Sequence, residues 1–551
     1  MGTIWIGKFF LGKGAFPIRY RRGPKERYNT GPEQVPYPHE FLEISPDLAE
    51  NEKFLRQEFD KTTDIVFREF YMGGIRCLAV WVDGLINKRV SHDLFRALML
   101  DVEPERLKKL PTGERLDYIN KHHLPFYATL RVIDLIELRR WILMHKLILL
   151  MDGSSTGLVL DAEDTPVRGI SEPTLEAVVS GPRDAFVESL RLNTALIRAR
   201  LGDARLKSEN FILGRRSNTL VTLMYVEDLA RPEIIEEVRS RMGRIDTDAV
   251  WDTYQIKEFI HDRRYTLFPL IKETERPDKA AADLLEGRFA IIVDGSPQVL
   301  TAPSVMVEFF QSSEDYYLNP FLTTGLRILR YIGLFIACTG LGLYVAVTTF
   351  HQEMLPIPLV FSVAGARETV PFPAIIEALL MLVVFELLVE AGIRLPQVVG
   401  GAVNIVGALI IGQAAVQAGI VSPILVIIIA ATAISNFAVS SNYQFASILR
   451  FIRLLFLITA GSLGLYGMAL ALLCLLIHMA GLTSFGVPYL APLAPRDQAA
   501  MTDVFYRAPK WQIGSRPHFI AGSDLTRDNS QPPGATPEPD TAGNGGDQVD
   551  G

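Results

Sequence analysis

The rhythm of apolar and polar positions changes once along the chain, near residue 320. Between about residues 40 and 319, short apolar runs alternate with charged stretches and are punctuated by Gly, Pro and Asp, as strands and amphipathic helices of a water-facing fold would be. Two parts of this region read alike. The first carries "RCLAVWVDGL", then the helical "HDLFRALML", then "LILLMDGSSTGLVL" around Asp152-Gly153. The second carries "TLVTLMYVEDLA", then "PEIIEEVRSRMGRI", then "FAIIVDGSPQVLTAP" around Asp294-Gly295. An apolar strand that runs into Asp-Gly predicts a tight turn, because Gly accepts a positive φ and Asp bonds the local backbone. The pattern predicts two related α+β subdomains, 40–180 and 181–320, joined by the helical "RDAFVESLRLNTALIRARL".

From 321 to 490 the apolar runs approach the roughly 20 residues needed to cross a bilayer. The spacing predicts spans at 326–349, 373–390, 398–418, 420–439 and 454–482, with four or five of them crossing. The loop "HQEMLPIPLVFSVAGARETVPFP" holds an apolar piece too short to cross and is read as an interfacial or re-entrant helix. The fold class is therefore an α+β cytosolic domain of two related subdomains followed by an α-helical membrane domain. A basic arm (1–39), a C-terminal segment (491–521) and a low-complexity tail (522–551) complete the organisation.

Charge sharpens this picture. The 551-residue chain has a formal net charge of -7, too mild to point to nucleic acid. Within 321–490 the only charged side chains are Arg and Glu, and none occurs between Leu395 and Leu449. Arg327, Arg330, Arg394, Arg450 and Arg453 fall on one face if four spans cross, and the positive-inside rule makes that face cytoplasmic. Five crossings put the basic residues of 491–521 outside, which fits that rule poorly.

The candidate chemistry lies in the apolar half. "AIIEALLMLVVFELLVEAGIRLPQ" carries Glu386, Glu390 and Arg394 as a stripe at i, i+4 and i+8, with Glu377 on the opposite side. Two readings compete: interface pairing of Glu390 with Arg394 and of Glu386 with a neighbouring helix, or carboxylates that line a watery cation path. Asn404, Gln413, Gln417, Thr432, Ser435 and Asn436 add polar positions on the neighbouring spans, and Gly401, Gly407 and Gly412 suit close helix packing. No catalytic constellation, metal motif or cofactor site is expected. Ser296 lacks the flanking glycines of a nucleophile elbow, His351 and His478 stand alone, and Cys77, Cys338 and Cys474 are widely spaced.

The motifs "TERPD", "EGRFAIIVDGSPQVLTAP", "FFQSSEDYY", "EAGIRLPQVVGGAVNIVGALIIGQAAVQAGIVSP" and "SFGVPYLAPLAP" occur in an order that resembles the A subunits of the GerA family of spore germinant receptors, over about 62–517. Val399-Gly400-Gly401 departs from the expected Val-Gly-Gln and removes one polar pore candidate. The resemblance implies a multi-pass protein of the endospore inner membrane with its N-terminal domain toward the spore core. It also implies a transporter-like B subunit and a lipoprotein C subunit as partners. A homo-oligomeric ring, a pentamer, would release monovalent cations, and in such a ring Glu386 of each copy would face a shared hydrated axis. A non-conducting scaffold and a proton-coupled transporter are the competing roles.

Overall fold

Two antiparallel five-stranded sheets repeat one strand order. In the first, β1 (Ile65–Met72), β2 (Ile75–Val82), β3 (Thr129–Val132), β4 (Leu147–Met151) and β5 (Gly157–Leu160) lie in the order β1-β2-β4-β5-β3. In the second, β6 (Leu206–Leu213), β7 (Thr219–Val226), β8 (Lys272–Thr274), β9 (Phe289–Val293) and β10 (Val299–Ala302) lie in the order β6-β7-β9-β10-β8. The structure is a computed structural model that describes residues 41–124, 129–163, 173, 176, 178–394, 412–439 and 442–528. The basic arm, Asn404, Gly401, Gly407 and the tail beyond 528 lie outside the described residues.

The repeat extends to single hydrogen bonds. Helices α1 (Leu48–Glu58), α2 (Lys88–Leu100), α3 (Pro104–Lys109), α4 (Thr112–His122) and α5 (Leu135–Leu143) accompany the first sheet. Helices α6 (Leu190–Arg198), α7 (Pro232–Gly243), α8 (Thr253–Ile260) and α9 (Pro277–Leu285) accompany the second. Asp152 Oδ1 accepts from Leu48 N at the start of α1 (3.3 Å), and Asp294 Oδ1 accepts from Leu190 N at the start of α6 (3.2 Å). Each Asp-Gly turn thus caps a helix with an anion where the unpaired amides and the helix dipole favour one. Gly153 and Gly295 take the positive φ (82° and 90°) that the turn requires. Asn51 grips Ser45 N, and Asn193 grips Val187 N, at 2.9 and 2.8 Å. The two subdomains are one unit built twice.

They are joined by a buried ion pair. Arg198 of α6 is fully buried and donates to both carboxylate oxygens of Asp64 at 2.8 and 2.9 Å, while its guanidinium also reaches Asp203 O and Leu206 O. Bidentate geometry with all three guanidinium nitrogens bonded is the condition under which a buried pair survives desolvation.

The C-terminal half is helical. α10 (Pro320–Phe350) starts with Pro320 behind an Asn319 cap, followed by α11 (Ile357–Arg367) and α12 (Ala374–Arg394). After residues 395–411, outside the described residues, come helical residues 412–417, α13 (Pro423–Val439) and α14 (Tyr443–Ala480). Among the described residues, two stretches are long and apolar enough to cross a bilayer: Pro320–Phe350 and Gln444–Ala480. The piece in the loop after α10 forms α11, with no buried residue.

The final stretch is where the sequence expectation fails. It was expected as one span at 454–482, but α14 is broken at Gly464, which has φ 61° and ψ -143°. Gln444 at one end donates to Glu273 (3.0 Å), and His478 at the other end meets Thr266 Oγ1 (3.3 Å), both on the second subdomain. An unbroken helix would hold these two residues roughly 51 Å apart, so the chain doubles back at Gly464 as two antiparallel arms. A β-carbon at Gly464 would lie 2.7 Å from His351 Cε1 of the loop after α10, so only glycine fits. The residues after α14 return to the second subdomain: Ser484 Oγ donates to Leu270 O (2.5 Å), Arg516 Nε to Leu285 O (2.7 Å) and Gly522 N to Leu229 O (2.6 Å).

Replacing Arg198 with Met leaves Asp64 charged, buried and without its partner. Denaturant unfolding should show a loss of about 3–5 kcal/mol, and the double variant Asp64→Leu/Arg198→Met should recover most of it. An additive double variant would contradict the pairing.

Candidate functional site

α12 runs between two polar clusters at opposite ends of the bundle. At its start, Glu377 is completely buried, and its Oε1 accepts from Ser422 N at 2.5 Å. Ser422 precedes α13, receives Leu425 N on its own Oγ (3.4 Å) and lies 3.2 Å from the Tyr344 hydroxyl. Arg367 Nε of α11 stands 3.7 Å from Glu377 Oε2. Glu377 therefore anchors the amino end of α13, where a carboxylate complements the helix dipole.

Nine residues along α12, Glu386 meets two guanidinium groups of α14. Arg453 Nη2 is 2.9 Å from Oε1 and Arg450 Nη1 is 3.4 Å from Oε2. Arg453 is buried, and its Nε and Nη1 have no hydrogen-bond partner among the described residues. One carboxylate between two arginines leaves the cluster with a net positive charge. Glu390 and Arg394 form a separate, exposed i,i+4 pair at 2.7 Å. The acidic stripe thus splits: Glu386 ties α12 to α14, and Glu390 is held at the end of α12.

The uncharged candidates also divide. Thr432 bonds back to Ile429 O (2.8 Å), and its methyl packs on Gly340 of α10, where a β-carbon would be 3.2 Å away. Ser435 and Val439 face Gly333 of α10, and Asn436 is buried with Oδ1 unbonded among the described residues. These residues form the seam between α13 and α10. Gly412 is buried against Val426, at 3.6 Å from a β-carbon position. Gln413 and Gln417, one turn apart, are exposed on the outside of the bundle.

A third cluster went unrecognised in the sequence. At the start of α10, Arg327 donates to Asp315 (2.9 Å) and to the Asp503 carboxylate (2.8 Å), and Arg330 holds both oxygens of Asp315 at 2.8 Å. The Tyr316 hydroxyl donates to Asp503 (2.6 Å), and Tyr331 reaches Val504 O (3.1 Å). Burial pushes the Asp503 carboxyl up from its ordinary value, while the Arg327 charge beside it pulls it back down. The sequence signal was present: "SSED" lies a few turns ahead of two arginines that a low-dielectric setting obliges to find partners.

The remaining sequence candidates have structural roles. The Ser296 hydroxyl, in the β9–β10 hairpin, donates to Asp252 at the start of α8 (2.5 Å), and His351 Nδ1 lies 3.4 Å from Ala346 O. Among the described residues no group of His, Cys, Asp and Glu could hold a metal ion.

The profile of the family described as "Bacillus/Clostridium GerA spore germination protein" matches residues 53–519. The chain is 40% identical to Spore germination protein KA of Bacillus subtilis, covering 88% of each chain. It is 37% identical to Spore germination protein GerLA of Bacillus cereus, covering 88% of this chain and 98% of that one. A crystal structure of the N-terminal domain of the A subunit of the Bacillus megaterium spore germinant receptor GerK3 aligns with 27% identity and a TM-score of 0.39, over 49% of this chain and 99% of that one.

The Glu386 cluster makes a measurable demand. Glu386→Leu strands two positive charges, one of them buried, and should cost about 3–5 kcal/mol in thermal unfolding of the full chain in detergent, whereas Glu386→Leu/Arg453→Met should regain most of that loss. Equal stability of the single variant and the parent would refute the pairing.

Proposed function

The chain belongs to the GerA family of spore germination proteins, and on that premise we propose that it is the A subunit of a germinant receptor that assembles as a closed ring and conducts monovalent cations across the spore membrane. One observation carries the reading. The carboxylates of α12 (Glu377, Glu386 and Glu390) each face an arginine of the same chain, yet Gln413 and Gln417 leave two amides exposed on an apolar helical surface. An amide facing lipid tails forfeits its hydrogen bonds at a cost of order a few kcal/mol. A ring of copies relieves that cost by turning the amides toward a shared water-filled axis, where their oxygens replace part of a cation's hydration shell.

Glu386 has a different task in this proposal from the one the acidic stripe implied. Paired with Arg450 and Arg453, it latches α12 to α14 and sits behind the path. Arg327, Arg330, Arg394, Arg450 and Arg453 gather at the end of the bundle that meets the α+β domain, which supports a cytosolic domain by the positive-inside rule. The C-terminal segment lies on that same side, which removes the conflict between its basic residues and an outside location. The receptor's other subunits supply germinant recognition in this reading, and the chain itself performs no catalytic step.

Purified protein in potassium-loaded liposomes tests the proposal. The parent should let potassium leak down its gradient, and Gln413→Leu/Gln417→Leu should slow the leak about tenfold or more while leaving the oligomer's size unchanged. A silent parent protein favours a scaffold, and an unaltered leak in the double variant removes the glutamines from the path.

A further inference from the structure

The loop between α8 and β8 is pinned beside both ends of the α14 hairpin. Lys257 of α8 bonds the Gln444 side chain, and Glu273 of the adjoining strand accepts from Gln444 Nε2 at 3.0 Å. At the other arm, Thr266 Oγ1 lies 3.3 Å from His478 Nε2, and the Phe268 and His478 rings meet tilted by 37° with centroids 5.9 Å apart. His478 belongs to the last turn of α14. The neighbours of Thr266 in sequence, Tyr265 and Leu267, therefore stand level with the end of the second arm of α14.

Their exposure is at odds with an ordinary water-facing loop. Tyr265 is 97% exposed and Leu267 60%, and Phe259 of α8 and Trp251 just before that helix are exposed as well. Arg263 and Arg264 precede them, both exposed, and neither makes an ion pair with any described residue. The Arg263 guanidinium lies beside Gly481, 3.8 Å from the position a β-carbon there would take. Aromatic side chains flanked by arginine at the foot of a membrane helix match the composition of the membrane–water boundary. Each guanidinium near an anionic surface gains attraction that a neutral surface does not supply.

We propose that residues 263–267 are a lipid-binding loop: Arg263 and Arg264 take the phosphates of anionic phospholipids, and Tyr265 and Leu267 sink to the boundary between headgroups and acyl chains. The proposal rests on the reading that α14 lies in the bilayer. It gives the second subdomain a grip on the membrane independent of the helices, next to the Lys257 and Glu273 contacts through which that subdomain holds α14.

The test uses the full chain in nanodiscs. A bimane fluorophore is placed at Tyr265→Cys in a Cys474→Ala background, where Cys77 and Cys338 are buried; in a second preparation it is placed on the exposed native Cys474. In discs containing phosphatidylglycerol, the label at 265 should be quenched by a doxyl group near the lipid headgroup and shielded from iodide. Adding Arg263→Glu and Arg264→Glu should raise iodide quenching about twofold or more. In phosphatidylcholine discs the same pair should have little effect. A label at 265 that iodide quenches freely and lipid does not would overturn the loop proposal. Shielding from both quenchers would also overturn it and assign the surface to a second copy of the chain. The Cys474 label, expected to respond to a doxyl group deep in the acyl chains, checks the bilayer reading separately, so its failure is distinguishable from failure of the loop.

Discussion

A guanidinium group removed from water has to find an anion, and that requirement organises the protein from end to end. Arg198 joins the two subdomains through Asp64, Arg327 joins α10 to Asp315 and Asp503, and Arg453 joins α14 to α12 through Glu386. Apart from Arg327–Asp315, each pair bridges elements far apart in sequence. Because an unpaired partner in such surroundings is costly, each pair also fixes which elements must move together. The same requirement consumes the acidic stripe. The carboxylates of the stripe that looked available to attract cations already face arginines, and Gln413 and Gln417 stay exposed without charge.

These pairs bind the soluble and helical halves into one mechanical path. The second subdomain touches the start of α10 through 306–316, both ends of α14 through Lys257, Glu273 and Thr266, and the C-terminal segment through Leu229 and Leu285. Asp503 closes the circuit, since it lies on the C-terminal segment and holds Arg327 of α10. A shift of the second subdomain therefore acts on α10 and both arms of α14 together. The reversal at Gly464 makes this geometry possible by returning the chain to the side from which α10 departs.

Much of this was legible where the determining interaction is local. The Asp-Gly turns foretold the duplicated subdomains, and the four-residue spacing of Glu390 and Arg394 foretold their pair. The 11-residue α11 could be recognised from the shortness of its apolar run. The reversal at Gly464 was not legible, because the surrounding "TAGSLGLYGMAL" has no charge or proline to mark a break, and the His351 and Phe350 contacts that leave no room for a side chain there come from a distant part of the chain. The partners of Glu386 lie more than sixty residues away, so its spacing along α12 carried no information about them. Thr432, Ser435 and Asn436 were visible as a helical stripe, but whether a stripe faces a neighbour or a path depends on what packs against it, and here that is α10.

The central claim is that conduction runs between copies of the chain, along a surface lined by uncharged amides, with the charged latches behind it. A map of the assembled protein in lipid tests this most directly. The account predicts a closed ring with Gln413 and Gln417 of every copy turned toward a hydrated axis and the Glu386–Arg453 pair inside each protomer. A map in which those two glutamines face acyl chains, or in which Glu386 has left Arg453 to line the axis, would contradict it.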